Sequence, residues 1–301
     1  MVMGEGTRPD SHADGDLAKG PLESNAMDVM FADCASRRFT EPVIAEPAKG
    51  DPVMESLAGL EGVAPAKAKR SPLTAYAADL DLRFRGMSTQ KILSTAIRDL
   101  FPGRIAVVSS FGAEAAIALQ FLAEIDPSVP VIFLDTGKHF DATLTYRDIL
   151  SQRFGLTDLR SIEPDAAEIA AEDPRGDLWS RDPDRCCALR KVRPLERALR
   201  GFDAWITGRK RHHGGERSAL SFAEASAGQI KINPLAGWNS EDVQAAFKRY
   251  RLPQHPLFDE GYASIGCAPC TRPIVEGENA RDGRWAGTDK RECGIHLDYS
   301  I

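Results

Sequence analysis

No uninterrupted hydrophobic run of membrane-spanning length is present in the sequence. Its most apolar stretch, Phe111 to Ile125, is broken by Glu114, Gln120 and Glu124, whereas a helical span needs about 20 mostly apolar residues. A basic start followed by an apolar segment is also missing; Met1 to Asp16 is acidic, so a secretory signal is not expected and the cytoplasm is the expected location. Strong charge of one sign is absent. The formal net charge is -6 over 301 residues, which argues against bulk nucleic-acid binding. The lack of a Gly-Lys-Ser/Thr turn argues against an ordinary Walker-type nucleoside triphosphatase. There is no internal repeat. Six unevenly spaced cysteines, two of them adjacent, do not make a secreted disulfide framework and point instead to metal binding or catalysis.

What is present divides into two parts. Residues 1 to 70 are rich in Gly, Pro, Ala, Asp and Glu and hold twelve acids against eight bases, which reads as a disordered acidic extension. Met27 to Phe39 could form a short helix there, and Cys34 has no partner pattern. From Pro72 an amphipathic helix is expected through about Leu100. Short β runs then alternate with helical spacing: Ile105 to Ser109, Val131 to Leu134, Leu159 to Ile162 and Ala204 to Thr207 as strands, with helices at Ala113 to Ile125, Tyr146 to Phe154 and Ser240 to Tyr250. Strands alternating with helices imply an α/β fold, a parallel sheet flanked by helices on both faces, over a single domain at residues 71–301. Ligands of such sheets bind at the C-terminal ends of the strands.

Three loops fall at those ends. Ser109-Ser-Phe-Gly-Ala-Glu114 joins a strand to a helix, so its backbone N–H groups could cradle an anion; taken alone, such small residues are usually merely steric. Leu134-Asp-Thr-Gly-Lys-His139 offers turn residues and a cation. Thr207-Gly-Arg-Lys-Arg-His-His213, followed by Arg217, belongs to a stretch from Arg185 to Arg217 with ten Lys/Arg against Glu196, Asp203 and Glu216. That excess suits a small polyanion, or a solvated helix face.

The cysteines carry the sharper signal. Cys186 and Cys187, with Cys267 and Cys270 of a Cys-Ala-Pro-Cys motif, supply four thiolates, the ligand set of an iron–sulfur cluster or of a structural zinc. Neighbouring side chains diverge on a helix, which makes an adjacent pair unusual for zinc. Cys293 stands outside that set, beside Lys290, Arg291 and His296. Nearby positive charge raises a thiol's thiolate fraction, so Cys293 reads as a nucleophile. Arg272, Arg281 and Arg284 lie between the Cys-x-x-Cys motif and Cys293, and would neutralise an anionic electrophile such as a sulfate or phosphate group. His255 reads as structural, and Trp179, Trp205 and Trp238 as packing.

Three segments, Arg185-Cys-Cys-Ala-Leu-Arg-Lys-Val-Arg-Pro-Leu195, Gly261-Tyr-Ala-Ser-Ile-Gly-Cys-Ala-Pro-Cys-Thr-Arg-Pro273 and Glu292-Cys-Gly-Ile-His296, resemble the assimilatory adenylyl-sulfate reductases, from about Arg104 to Leu297. The resemblance implies an adenine-nucleotide-binding fold related to the PP-loop ATP pyrophosphatases. It implies reduction of adenosine 5'-phosphosulfate to sulfite and AMP, with thioredoxin or a glutaredoxin-like donor, a 4Fe-4S cluster, and no nucleic-acid or membrane partner; homo-oligomerisation is left open. Carried onto this sequence, it gives Cys186, Cys187, Cys267 and Cys270 to the cluster. Cys293 becomes the sulfo acceptor, on a mobile C-terminal segment, 276–301. Lys191, Arg281, Arg284 and His296 would surround the sulfate. Ser109, Ser110, Phe111, Gly112, Ala113 and Glu114 would form the phosphate loop. Leu134, Asp135, Thr136 and Gly137 would line the adenosine side, and Gly208 with Arg209 the third loop. The sequence departs from the family at Ala115, where an acidic residue is common, and near His212 and His213, where other polar residues are common. A reductase preferring the 3'-phosphorylated nucleotide is the near alternative, disfavoured by the cluster ligands; a zinc-stabilised, non-catalytic nucleotide-binding module is the distant one.

Overall fold

The computed structural model describes residues 71–297. The chain divides into two units, Met1–Ala64 and Pro65–Ile301, and the described residues all belong to the second. The expected disordered extension, the helix at Met27 to Phe39 and Cys34 lie outside the described residues.

A six-stranded sheet forms the centre, made of β1 (Ile105–Val108), β2 (Val131–Leu134), β3 (Leu159–Ile162), β4 (Ala204–Ile206), β5 (Ala223–Ser226) and β6 (Gln229–Ile232), in the order β3-β2-β1-β4-β6-β5. All neighbours pair in parallel except β5 with β6. Strand alternation explains how both faces are covered. Ile105, Val107, Val131, Phe133, Ala204, Ile206, Ile230 and Ile232 enter the larger core. Their neighbours Ala106, Ile132, Leu134 and Trp205 enter a smaller core on the other face. Lys231 falls on that second face, its ammonium 4.9 Å from the Trp205 ring centroid.

The helices are α1 (Pro72–Phe84), α2 (Thr89–Ser94), α3 (Ala115–Ile125), α4 (Asp141–Phe154), α5 (Ala166–Glu172), α6 (Leu178–Arg181), α7 (Pro183–Cys187), α8 (Arg193–Ala198) and α9 (Ser240–Tyr250). The expected single helix from Pro72 to about Leu100 is two. Gly86, at φ 77, takes a left-handed turn that glycine adopts without Cβ strain. Ser88 then caps α2, its hydroxyl accepting from the Lys91 N–H at 3.2 Å. The β5–β6 hairpin, which the pattern reading missed, turns through Ala227 (φ 48) and Gly228 (φ 81). Two positive φ values are what a tight two-residue hairpin requires, but Ala-Gly lacks the usual Asn-Gly signature.

β1 lies between β2 and β4, so the chain leaves it in one direction and returns on its other side. At such a switch point the loops following the two strands part and leave a crevice. Here they are the segments after Val108 and after Ile206. The second is held from below by Asn233, which is fully buried. Thr207 Oγ1 donates to Asn233 Oδ1 at 2.6 Å, and Asn233 Nδ2 donates to the Ser221 carbonyl at 2.9 Å.

Asn233→Ala leaves the Thr207 hydroxyl and the Ser221 carbonyl without these partners and is expected to destabilise the chain by about 2 kcal/mol. A thermal melt should show Tm lower by roughly 4–8 °C; an unchanged Tm would mean that the loop is held by other contacts.

Candidate active site

An open cavity of about 1210 Å³, counting its solvent-filled mouth, occupies the switch-point crevice. The first loop forms one wall. Phe111, at φ 47, turns its ring away from the cavity into the core, edge-on to Phe133 at 5.6 Å. This side chain anchors the loop and leaves Ser109, Ser110, Gly112, Ala113 and Glu114 along the wall. A Cβ on Gly112 would lie 3.1 Å from the Ile265 carbonyl oxygen, so glycine permits the close approach of segment 263–266. No side chain caps α3, whose N-terminus begins where this loop ends. An uncapped helix N-terminus presents N–H donors and partial positive charge.

Cations line the rest of the cavity: Lys191, Arg209, Lys210, Arg217, Arg281 and Arg284, against the carboxylates Glu114 and Glu292. Each carboxylate is clamped. Lys210 Nζ lies 2.7 Å from Glu114 Oε2, with His213 Nε2 at 3.1 Å from the same oxygen. Burial opposes the Glu114 charge, yet His213 and Lys210 hold the carboxyl far below its ordinary range. Glu292 Oε1 accepts from Arg217 Nη2 at 2.9 Å, from Arg281 Nη2 at 3.1 Å and from the Cys293 N–H at 2.8 Å. Burial again opposes the charge, and the two guanidiniums outweigh it, lowering the Glu292 carboxyl to about 2. Two carboxylates do not balance this many cations. Burial, with Arg217 beside it and Arg284 near, pulls Arg281 down to about 10. Arg284 Nε is buried without a hydrogen-bond partner, and so is Nδ1 of His296, whose ring stacks on Trp205 at 6.3 Å. The cavity is short of an anion.

Cys293 lies at the inner end, 8% exposed. It precedes the short turn Gly294–His296, and the Cys187 thiol, the Ile295 N–H, Lys191 and Arg284 all favour its thiolate. The largest influence is the hydrogen bond from Cys187, and against the opposition of burial these hold the Cys293 thiol well below its ordinary range. The same contact, together with burial, pushes the Cys187 thiol up.

A second, smaller cavity of about 360 Å³ adjoins the first and is lined by Cys186, Cys187, Cys267 and Cys270 with Trp179, Pro183, Pro269 and Trp285; Lys191 and Arg284 line both. The adjacent cysteines reach it from the end of α7, where the backbone widens into a π-type turn, Ala188–Val192, before α8. Such turns displace side chains from the regular helical positions, and Lys191 sits on this one. Burial opposes its charge, but the thiols of Cys267, Cys293 and Cys187 raise the Lys191 ammonium above its ordinary value. Burial likewise pushes Cys186 up to about 11 and raises Cys270. Thiols so placed would ionise for a cationic centre, and the four sulfurs could hold one.

Of the residues expected at the site, Cys293, Lys191, Gly208, Arg209, Arg281, Arg284, His296, Leu134 and the first loop except Phe111 line the large cavity. Asp135, Thr136 and Gly137 do not line it; Thr136 turns toward the cysteines instead, its Oγ1 3.3 Å from Cys267 Sγ, and its carbonyl accepts from Arg190 Nη1 at 2.9 Å. Sequence reasoning missed Lys210, Glu292 and His139 as lining residues. Their one signal was position, within a cation-rich loop, beside Cys293 and at the end of the second loop. His139 is a neutral lining group, since burial lowers its imidazole to about 4 while Nε2 contacts the Leu134 carbonyl at 2.9 Å. Glu114, His212 and His213 have ligand atoms within 4.8 Å of one another, but the Lys210 ammonium at 2.7 Å from Glu114 makes that spot unfavourable for a metal cation.

A mostly parallel sheet with a cation-lined switch-point cavity, a buried thiol inside it and four more thiols behind defines a nucleotide-fold protein with a site suited to an anionic ligand. The chain belongs to the family described as the phosphoadenosine phosphosulfate reductase domain, which residues 104–273 match. It is 49% identical over 225 residues to an adenosine 5'-phosphosulfate reductase of Mesorhizobium japonicum, covering 75% of this chain and 89% of that protein. It is 38% identical to a phosphoadenosine 5'-phosphosulfate reductase of Gloeobacter violaceus, covering 71% of this chain and 90% of that protein. The solved phosphoadenylyl-sulfate reductase of Candida auris, a phosphate complex, superposes with a TM-score of 0.58 at 28% identity, over 69% of this chain and 100% of that one.

The Glu292 carboxyl, at about 2 against an ordinary 4.5, gives stability that is full above the unfolded pKa and is lost as pH falls from about 4.5 toward 2. Glu292→Gln is expected to lower unfolding free energy by about 3 kcal/mol at pH 6, because two buried guanidiniums lose their counter-charge. In urea titrations from pH 8 to 3 the gap to wild type should be constant above pH 5 and narrow below it. A gap that does not change with pH would rule out the carboxylate as its source.

Proposed function

We propose that the protein reduces adenosine 5'-phosphosulfate to sulfite and AMP in sulfate assimilation, as a cytoplasmic enzyme using a thioredoxin-type dithiol. The observation that carries this reading is the anion-deficient cavity with the Cys293 thiolate at its inner end. The similarity to reductases named for this substrate supports it. The nucleotide's phosphate lies against the first loop and the uncapped start of α3, and its sulfo group against Lys191, Arg281, Arg284 and His296.

The Cys293 thiolate attacks the sulfur of the sulfo group, forming an S–S bond as the S–O bond to the phosphate breaks. AMP leaves with that electron pair, and Cys293 carries S-sulfocysteine. One difficult displacement is thereby divided into two. The cations neutralise the charge that gathers on the sulfo and phosphate oxygens in the transition state. One thiolate of the dithiol then attacks Cys293 Sγ, expelling sulfite. The second thiol resolves the mixed disulfide, which restores the Cys293 thiolate and leaves the dithiol oxidised. Because Cys293 is buried, segment 276–301 of the reductase domain moves outward for the second half of the reaction.

Cys186, Cys187, Cys267 and Cys270 would hold a 4Fe-4S cluster. The four line one cavity, and the adjacent pair, whose side chains diverge on a helix, suits a polynuclear centre better than tetrahedral zinc. When bound, the cluster supplies local charge beside Lys191 and fixes the two cysteine segments to each other.

Anaerobically purified protein, incubated with adenosine 5'-phosphosulfate and no thiol donor, should gain one SO3 group on Cys293 and lose it on adding reduced thioredoxin. Cys293→Ser should gain none, and intact-mass spectrometry with peptide mapping reads both. No adduct on the wild type, or a faster one with the 3'-phosphorylated nucleotide, would overturn the proposed reaction or its substrate. Iron and acid-labile sulfide should each approach four per chain and fall more than tenfold in Cys267→Ala; stoichiometric zinc instead would sink the cluster assignment.

A further inference from the structure

A chain of hydrogen bonds crosses the floor of the large cavity. His213 Nε2 lies 3.1 Å from Glu114 Oε2, and Arg217 Nη1 lies 3.2 Å from His213 Nδ1. Arg217 Nη2 donates to Glu292 Oε1 at 2.9 Å, and the Cys293 N–H donates to the same oxygen at 2.8 Å. A guanidinium can only donate, so His213 Nδ1 is the acceptor and its Nε2–H donates to Glu114. The imidazole is therefore neutral and used at both nitrogens, in accord with burial lowering its pKa although Glu114 opposes that shift.

We propose that His213 is a positioning residue, tying the loop before α3 to the segment that carries Cys293 through the chain Glu114, His213, Arg217, Glu292 and Cys293. The proposal rests on the reading of Cys293 as the sulfo acceptor. Glu114 ends the loop placed against the nucleotide, and Glu292 fixes the backbone of the attacking residue. His213 and Arg217 are the members of this chain that lie on the third loop and its following turn. Gly214, Gly215 and Glu216 separate them, the two glycines in the left-handed region at φ 69 and φ 58. With no side chain on either glycine to pack, the register of Arg217 relative to Glu114 depends on the imidazole. Without it, Lys210 still holds Glu114 and Arg217 stays paired with Glu292, but the hydrogen bond that refers that pair to the nucleotide loop is gone, so the Cys293 segment opens more readily.

The test uses full-length, cluster-loaded protein and three substitutions. His213→Ala removes both hydrogen bonds. His213→Asn is too short to span both partners. His213→Gln can donate its amide N–H to Glu114 and accept from Arg217 with its carbonyl oxygen. The readouts are the iodoacetamide alkylation rate of Cys293 without nucleotide, the dissociation constant of AMP, and the single-turnover rate of sulfo transfer at saturating adenosine 5'-phosphosulfate.

The alanine and asparagine variants should alkylate about tenfold faster and transfer about tenfold more slowly, the effect of one charge-assisted hydrogen bond. AMP binding should weaken less than transfer slows, by about threefold, because the other cations that line the cavity with His213 remain. The glutamine variant should match wild type in all three. Wild-type alkylation and transfer rates in both shortened variants would overturn the proposal, as would a glutamine variant as impaired as they are. If the wild type itself gains no sulfo group, the proposed reaction falls, while the alkylation rates still decide whether His213 holds the segment.

Discussion

Two carboxylates, Glu292 buried and Glu114 half-buried, among many buried or half-buried cations are the constraint on which the rest of this structure depends. Guanidinium and ammonium groups gathered at one crevice repel each other and resist desolvation. Glu114 and Glu292 make the arrangement tolerable by each taking more than one cation. Glu114 fixes the third loop to the start of α3 through Lys210 and His213, and Glu292 fixes the C-terminal segment to Arg217 and Arg281. Neither neutralises the cavity completely. The residual positive charge, with unpartnered nitrogens on Arg284 and His296, is what makes the crevice receptive to an anion. Stability and binding here draw on the same imbalance: a third carboxylate would steady the protein and fill the place a substrate needs.

The parts legible in the sequence are those whose signal is local. Strand residues alternate between two cores, so short apolar runs separated by helical spacing are enough to locate β1 to β4 and the loops after them. The Cys-Ala-Pro-Cys motif and the adjacent cysteines likewise announce themselves by spacing. The hairpin of β5 and β6 does not, since an Ala-Gly turn reaches positive φ without the residues that usually mark it. Ion-pair partners are hidden for a different reason. Arg217 and Glu292 stand 75 positions apart, and Lys290 and Asp184 stand 106 apart, so nothing in either neighbourhood names the other. The cation-rich stretch reads as facing a polyanion, and part of it instead meets the protein's own carboxylates: Arg209 pairs with Glu224, and Arg193 with Glu172.

Lys191 shows how distant segments become one site. Two residues of α7, the Cys-x-x-Cys turn and the Cys293 segment approach it together, and the same residue lines both cavities. A regular helix through Ala188–Val192 would rotate Lys191 differently with respect to Cys187; the π-type turn sets that relation. Sequence spacing shows that Lys191 follows the cysteines by four positions, and only the backbone path shows that it faces their sulfurs and Cys293 at once. The turn expected on the adenosine side, Asp135 to Gly137, belongs to this junction as well, because Thr136 contacts Cys267 with its hydroxyl and Arg190 with its carbonyl.

On the proposed reaction, a buried thiol that also meets a dithiol partner needs a segment that is held firmly but released cheaply. The interactions of residues 288–297 answer that requirement by their type. Lys290 pairs with Asp184 and lies 5.5 Å from the Trp285 ring centroid, Glu292 takes its two arginines, and Ile295 packs at the edge of the smaller core. Apolar burial is therefore small, and most of the holding force is electrostatic. Parting two apolar surfaces exposes hydrocarbon to water with nothing in return, whereas separated ions regain hydration, which offsets much of the attraction given up. An electrostatic latch thus keeps geometry tight when shut without a large difference in free energy between shut and open. It is also the kind of interaction that a ligand's own negative charge can strengthen or replace, so occupation of the cavity and position of the thiol are joined by the same charges.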